Sequence, residues 1–331
     1  MSNQSIPLVT FALTRPFVRE LEKRGIDCDT LLRQVSLEPK SLQNNDVFIA
    51  AQSWYDFANL AAETAGDAHL GYFIGAHHAV EELPNLKVLQ LQMATLGELL
   101  TTLVIDVRRF STIADYKLET DGEVARLITK RTFVPAAPPV QIDGYFAGFM
   151  VRILSLCSGS LWQPEAITVT VCDPSALPAD TRRDCKVIQG GLEGAAFCFP
   201  ATWLVQRSDG SPRQSLLEPG LVGIDFIDSF HALLDLHLDR QGLSIARFAA
   251  LTGQSHHTLK RRLQNAGTTY LSELDARRAR TARFLLVSSE RPLDEIGAKV
   301  GYPDPPSFVR AFKRWTAMTP NEYRKSVKRE M

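Results

Sequence analysis

Pro292-Leu-Asp-Glu-Ile-Gly-Ala-Lys-Val-Gly301-Tyr-Pro-Asp-Pro-Pro-Ser-Phe-Val-Arg-Ala-Phe-Lys-Arg-Trp315 reads as two short helices around a tight turn. Gly297, four positions before Gly301, is small enough for the second helix to cross the first at close range. Gly301 supplies the positive φ that a three- to four-residue turn between steeply crossed helices requires. The pattern occurs once more upstream, in Ser244-Ile-Ala-Arg-Phe-Ala-Ala-Leu-Thr-Gly253-Gln-Ser255-His-His-Thr-Leu-Lys-Arg-Arg-Leu263, with Ala249 and Gly253 in the equivalent places. Two such patterns in tandem, each running into a basic helix, predict helix-turn-helix units at 244–265 and 292–315, joined by a linker helix over 269–287.

Helical spacing sorts the side chains of these units. Ser255 stands where an N-cap hydroxyl can accept from an orphan amide of the first turn. Leu259 and Leu263 face inward, which leaves His256, His257, Lys260, Arg261 and Gln264 outward. In the second unit Phe308, Phe312 and Trp315 form the inner stripe, with Val309, Arg310, Lys313 and Arg314 off it. A helix with a basic outer face suits the DNA major groove, whose width admits one helix. In the linker, Leu271, Leu274, Ala282 and Leu285 carry the apolar period, with Arg277, Arg278, Arg280 and Arg283 around it. At 1.5 Å per residue this strut spans about 27 Å, near the roughly 34 Å between successive major grooves on one DNA face. Its arginines are expected to divide between phosphates and local acids such as Glu273 and Asp275.

Charge is partitioned along the chain in the same sense. The 331 residues have a formal net charge of zero, yet residues 242–331 hold 17 Lys+Arg against 8 Asp+Glu. The preceding residues hold 20 against 29, so a basic module is joined to an acidic one, and only the tail has a nucleic-acid footprint. An apolar content of 45% suffices for a packed core in each of two domains. Cys28, Cys157, Cys172, Cys185 and Cys198 are scattered without a C-x-x-C pair, which fits reduced, mostly buried thiols. The polar opening Met1-Ser-Asn-Gln-Ser-Ile-Pro does not read as a signal peptide, and no uninterrupted apolar run approaches the roughly 18 residues of a spanning helix. A soluble, cytoplasmic protein is expected.

Residues 1–206 read as one mixed, helix-rich α+β domain. Apolar residues recur at helical spacing over Phe17–Arg33, Ala50–Ala65, Leu96–Phe110 and Ile142–Cys157, the last with Tyr145, Phe149 and Ile153 on one face. Tyr116–Thr120 and Glu123–Thr129 alternate around Asp121-Gly122 and predict a β-hairpin. Ile167–Val171 and Phe197-Cys-Phe199 are further strand candidates. Arg207-Ser-Asp-Gly-Ser-Pro-Arg213 is rich in turn formers and opens a linker over 207–223. The aromatics Tyr145, Phe146 and Phe149 are candidates for an effector pocket, with plain core packing the simpler reading. The adjacent His77 and His78 point about 100° apart on a helix and make a poor metal pair.

These residues resemble a known family. Gly301-Tyr-Pro-Asp304, Phe308-Val-Arg-Ala-Phe-Lys-Arg-Trp315 and Thr319-Pro-Asn-Glu-Tyr-Arg324 are similar to the C-terminal signature of the AraC/XylS family of bacterial transcription regulators. Gly71-Tyr-Phe-Ile-Gly75, Ala94-Thr-Leu-Gly-Glu-Leu-Leu100 and Trp162-Gln-Pro resemble the arabinose-binding-type effector domain of ornithine-utilisation and virulence regulators. The resemblance implies an effector-sensing and dimerising domain over 1–206 and an all-α DNA-binding domain over 224–329. Its base readers would fall on His257, Lys260 and Arg261 in the first unit, and on Pro305, Pro306, Ser307, Val309 and Arg310 in the second. Two prolines cannot hydrogen-bond a base edge, although a helix tolerates them in its first turn. Thr252 and Gln254 also stand at turn positions where the family is usually apolar.

The residues expected at DNA are thus His256, His257, Thr258, Lys260, Arg261 and Arg262, then Ser307, Arg310, Lys313 and Arg314, with the first unit carrying most direct readout. The expected partners are double-stranded promoter DNA, RNA polymerase, a small-molecule effector and a second copy of the chain, with activation expected over repression. No catalytic or metal residues and no cofactor are expected, and G-x-S-x-G, P-loop and H-E-x-x-H patterns are absent. The competing readings are a constitutive, nucleoid-type DNA binder with a degenerate sensor, and an enzyme fused to a DNA-binding tail.

Overall fold

A computed structural model describes residues 6–43, 47–78, 95–109, 111–206 and 226–330. They fall into two compact units, one within 6–206 and one within 226–330. The linker expected over 207–223, with Ala94 and Phe110, lies outside the described residues.

The first unit is an α/β assembly. Its elements run β1 (Leu8–Thr10), α1 (Arg15–Lys23), α2 (Cys28–Gln34), β2 (Phe48–Ala50), α3 (Ala51–Ala65), α4 (Leu70–His77), α5 (Leu96–Asp106), β3 (Ala114–Asp121), β4 (Val124–Arg131), α6 (Val140–Ser158), β5 (Thr168–Val171), α7 (Ala179–Asp184), β6 (Lys186–Gln189) and β7 (Ala196–Pro200). β1 and β2 pair antiparallel, and the other strands form one sheet in the order β3-β4-β7-β5-β6. Within it only the β5–β6 pairing is parallel. The hairpin forms with its turn one residue later than expected, on Gly122 and Glu123, because Asp121 pairs with Val124. Alternation puts Ala125, Leu127, Val169, Val171, Phe197 and Phe199 on the buried face.

Helix α6 lies on this face, with Ile142, Tyr145, Phe149 and Ile153 buried. Phe146 meets Phe197 and Tyr116 edge-on at 5.3 and 5.7 Å between ring centroids. α4 crosses α6 so closely that a Cβ on Gly71, Gly75 or Gly148 would overlap the backbone carbonyl of Gln141, Tyr145 or Tyr72. Gln141 stitches the crossing, accepting from the Gly71 amide at 2.8 Å and donating to the Ala68 carbonyl at 3.0 Å. The stretch 140–161 is long and apolar enough to cross a membrane by length and composition. Gln141, Asp143 and Arg152 interrupt it, and its apolar side is the core of this unit.

The helix expected over 17–33 is broken in two. Gly25, at φ 73°, turns the chain between α1 and α2, and the Asp27 carboxylate caps α2 by accepting from the Asp29 amide. The three-residue strands β1 and β2 and the mostly exposed β6 carry too short a pattern for sequence reading, and their pairings are long-range.

The second unit is all-helical: α8 (Phe226–Leu236), α9 (Ile245–Leu251), α10 (His256–Asn265), α11 (Tyr270–Ser288), α12 (Leu293–Lys299), α13 (Pro305–Thr316) and α14 (Pro320–Glu330). α11 serves two cores. At its start Tyr270 joins Phe230 and Phe248, whose rings lie 5.0 Å apart. At its end Ala282 and Leu286 pack with Ile296, Val300, Phe308 and Phe312. Tyr270, Leu274, Arg278, Ala282 and Leu286 are buried in four-residue steps along α11, with Ala279 buried beside them. Leu271, read as part of the linker's apolar period, is off these steps and 71% exposed. The acids of α11 are also paired differently than expected. Glu273 takes Thr268 and His231 at 2.5 and 2.6 Å, and Asp275 takes Arg314 at 2.8 Å. Arg277 reaches instead across to Asp235 on α8. Neighbouring helices, not turns of α11 itself, present the nearest opposite charge.

Both turns have the expected glycine geometry, with φ of 64° at Gly253 and 78° at Gly301. Gly301 has a second constraint. A Cβ there would stand 2.5 Å from the Leu238 carbonyl and from Nη2 of Arg278, and 2.9 Å from the Arg240 carbonyl. The second turn is therefore pressed against the loop after α8, beside the buried Arg278 guanidinium, which stacks 5.1 Å from the Tyr302 ring centroid.

Candidate nucleic-acid interface

In the first helix-turn-helix unit the Ser255 hydroxyl accepts from the Thr258 amide at 3.1 Å and caps α10. With Leu259 and Leu263 buried, the side chains of His256, His257, Lys260, Arg261 and Gln264 emerge exposed on the opposite side. The His256 and His257 rings sit 4.7 Å apart. Thr258 is half-buried, its hydroxyl 2.9 Å from Ser255, at the edge of this face.

Arg262 is placed otherwise. Its guanidinium lies 4.1 Å over the Phe226 ring and donates to Gln254 Oε1 at 3.2 Å, and burial lowers its pKa. It packs α10 onto α8 and is withdrawn from the exposed basic set. The same contacts explain the two polar turn residues. Gln254 is the acceptor for Arg262, and the buried Thr252 hydroxyl donates to the Ala249 carbonyl at 3.0 Å.

In the second unit Asp304 caps α13. Its carboxylate accepts from the Ser307 amide at 2.7 Å and from the Ser307 hydroxyl at 2.9 Å, contacts that hold its pKa below the usual carboxylate range. Pro305 and Pro306 fill the first turn, exposed, where their missing N–H groups cost nothing. The Ser307 hydroxyl also accepts from Arg310 Nη2 at 3.0 Å, so it is already engaged on both sides. Arg310, Lys313 and Arg314 are exposed, with Arg314 tethered to Asp275, while Val309 is half-buried. The two recognition helices are thus chemically unlike: α10 presents four basic or imidazole side chains in its first two turns, and α13 opens with a carboxylate and two prolines. Sequence reading passed over Asp304, although an Asp followed directly by a proline at a helix start is an N-cap signal. It also missed the inward turn of Arg262, which depends on Phe226 lying opposite.

The first unit holds a cavity of about 80 Å³ between α6 and the sheet. Tyr145, Phe146 and Phe149 line it, so the candidate pocket aromatics both pack the core and face a void. At one end Arg131 and Asp143 form an ion pair with side chains only 5% and 2% exposed. Arg131 donates further to Tyr55 Oη at 3.4 Å and to the Leu192 carbonyl at 2.8 Å, and Asp143 Oδ2 accepts from the Cys172 amide at 2.9 Å.

Among the described residues no group of three or more His, Cys, Asp or Glu is placed to hold a metal ion. His77 stacks on Phe73 at 4.5 Å, and His78 faces Glu20 at 3.6 Å. Burial pushes the thiols of Cys28, Cys172 and Cys185 up to about 11, 12 and 11, the reverse of the activation a nucleophilic cysteine needs.

Residues 248–326 match the model of a helix-turn-helix domain family, and residues 25–207 match that of the arabinose-binding domain of AraC transcription regulators. The chain belongs to the AraC family. As an AraC-type protein it is a DNA-binding transcription regulator with an N-terminal ligand-binding domain. An ornithine utilization regulator of Pseudomonas aeruginosa is 24% identical over 98% of this chain and 98% of its own length. The HTH-type transcriptional regulator VqsM of the same organism is 33% identical over 39% of this chain and 43% of its own. The crystal structure of the transcriptional regulator CdpR from Pseudomonas aeruginosa aligns over 95% of this chain and 98% of its own at 20% identity, with a TM-score of 0.42. Each of the three is named as a regulator.

Proposed function

We propose that this AraC-type regulator activates transcription from promoters read by α10 and α13, in response to a small molecule held in the first unit. The observation that carries the reading is the pair of exposed recognition helices, one strongly basic, hung on a single linker helix within one compact unit. Residues 1–206 sense the effector and dimerise in the cytoplasm, 207–223 join the domains, and 224–329 bind double-stranded DNA and present a surface to RNA polymerase. Direct base contacts come from His257, Lys260 and Arg261, supported by His256 and Thr258. Arg310, Lys313 and Arg314 contribute chiefly through phosphates, and Ser307 through its cap.

The test is electrophoretic mobility shift with the full chain on selected duplexes across a salt series. If the basic faces meet phosphates, affinity falls by about 10³–10⁵ between 50 and 200 mM salt, as expected for six to ten phosphate contacts. Salt-independent binding, or none at low salt, removes the reading. A reporter driven by the selected site then separates activation from repression by whether loss of the regulator lowers or raises its output.

A further inference from the structure

We infer that the cavity of the first unit takes a small, uncharged, largely apolar molecule bearing one hydrogen-bond-accepting oxygen, and neither a sugar nor an amino acid. This rests on the reading that the unit senses a small molecule, and it names the class.

Size is the first argument. An apolar cavity of about 150 Å³ takes up benzene, so about 80 Å³ admits a body of a few heavy atoms before its walls must shift. Wall chemistry is the second. The lining is mostly apolar, with Leu13, Leu103, Val107, Ile142 and Phe149 among its residues, and such walls leave most hydroxyls of a sugar without partners.

Charge is the third. Arg131 is the cavity's cation and Asp143 its anion, and they are paired with each other. The site is therefore electrically balanced before any ligand enters, and a buried ligand charge would stand uncompensated. Asp143 already holds Arg131 on one oxygen and the Cys172 amide on the other, so its charge is matched within the fold and a ligand ammonium would have to share it. Unused donors line the cavity, among them the buried Trp54 indole N–H, which has no partner among the described residues. The Tyr116 hydroxyl makes no hydrogen bond with any described residue, and the guanidinium of Arg131 has more N–H groups than its three partners use. Burial raises the pKa of Tyr116 and pushes that of Tyr55 up to about 12, so both phenols remain O–H donors at neutral pH. A single carbonyl or ether oxygen on an apolar body matches that end.

The experiment is ligand-observed NMR on the full chain, with 2-butanone, its oxygen-free isostere 2-methyl-1-butene, butyrate, L-arabinose and L-ornithine as probes. The expected order is 2-butanone first, the isostere weaker, and butyrate, arabinose and ornithine showing no saturable binding. Tyr116→Phe keeps the ring and removes the hydroxyl. It should weaken 2-butanone about three- to tenfold, the range of one neutral hydrogen bond, and leave the isostere unchanged. Ala114→Leu, which fills the cavity, should abolish both. Tighter binding of butyrate, arabinose or ornithine overturns the ligand class while leaving the unit a sensor. Equal loss of ketone and isostere in Tyr116→Phe overturns the head-group assignment. Binding that survives Ala114→Leu overturns the site. A chain that takes up none of the probes overturns the inference altogether, and the DNA-binding reading is scored separately by the mobility shift.

Discussion

Gly301→Ala against Gly267→Ala separates two reasons for a glycine that sequence alone merges. The two backbones are nearly the same, at φ 78° and 76°. An L-residue in this left-handed region costs about 1–2 kcal/mol, and the smaller unfolded-state gain from Gly→Ala is common to both variants. Their surroundings differ. Nothing lies within 4 Å of a Cβ at Gly267, whereas at Gly301 it would stand 2.5 Å from the Leu238 carbonyl and 2.9 Å from that of Arg240. Backbone atoms cannot rotate away like a side chain, so the loop after α8 and the second turn must separate. Overpacking of this kind costs about 1–3 kcal/mol. Gly267→Ala should therefore lose about 1–2 kcal/mol and Gly301→Ala about 2–5 kcal/mol. Native-state hydrogen exchange by mass spectrometry on the full chain, read on peptides from 226–330, confines the measurement to this unit. Duplexes with both half-sites should lose more affinity for Gly301→Ala than duplexes with one, because the second unit is displaced from the first. Losses that agree within about 0.5 kcal/mol, inside ordinary mutational scatter, would show that the close approach carries no energy.

Arg261→Ala should weaken binding to the selected site by about 1–3 kcal/mol and relax preference at one or two base pairs, while Lys313→Ala weakens cognate and random duplexes alike. Competition binding distinguishes the two, and equal losses on both duplexes for Arg261→Ala would reassign it to phosphate. Arg262→Ala, which removes the packing on Phe226 and Gln254, should lower the melting temperature and leave base preference intact. In vitro site selection should return one sharp half-site for α10 and a degenerate one for α13, since Pro305 and Pro306 cannot donate to a base edge. Two equally sharp half-sites would falsify that asymmetry. Burial, then Arg240, lowers the His237 pKa from 6.5 to about 3, so between these values the unfolded chain binds a proton that the folded one does not. Stability is then full above pH 6.5 and falls with acidification, by about 2 kcal/mol at pH 5. Denaturation of the full chain at pH 7 and pH 5, with His237→Gln as the control, checks this: a wild-type slope equal to the control's removes His237 as the cause.

Local spacing was enough to read the turns, the first cap and the inner faces of the two helix-turn-helix units, because each of these is decided within a few residues. Gly253 and Gly301 were legible from the positive φ their turns require, Ser255 capped the turn it begins, and Leu259–Leu263 and Phe308–Phe312 set the inner face by a four-residue step. The central helix of the first unit and the hairpin of β3 and β4 were readable for the same reason. Tertiary structure decided whatever depends on a partner distant in sequence. Phe226 draws Arg262 inward, and Asp235 and Arg314 take the charges of α11. The four-residue ladder from Tyr270 to Leu286, chosen by what α11 packs against, leaves Leu271 in solvent. The cavity is the extreme case. Arg131 on one strand and Asp143 on a helix meet only because the sheet folds over α6, and that pairing determines which charges a ligand would find. A sequence specifies its periods and caps directly, but a buried charge acquires its meaning from the neighbour the fold brings to it.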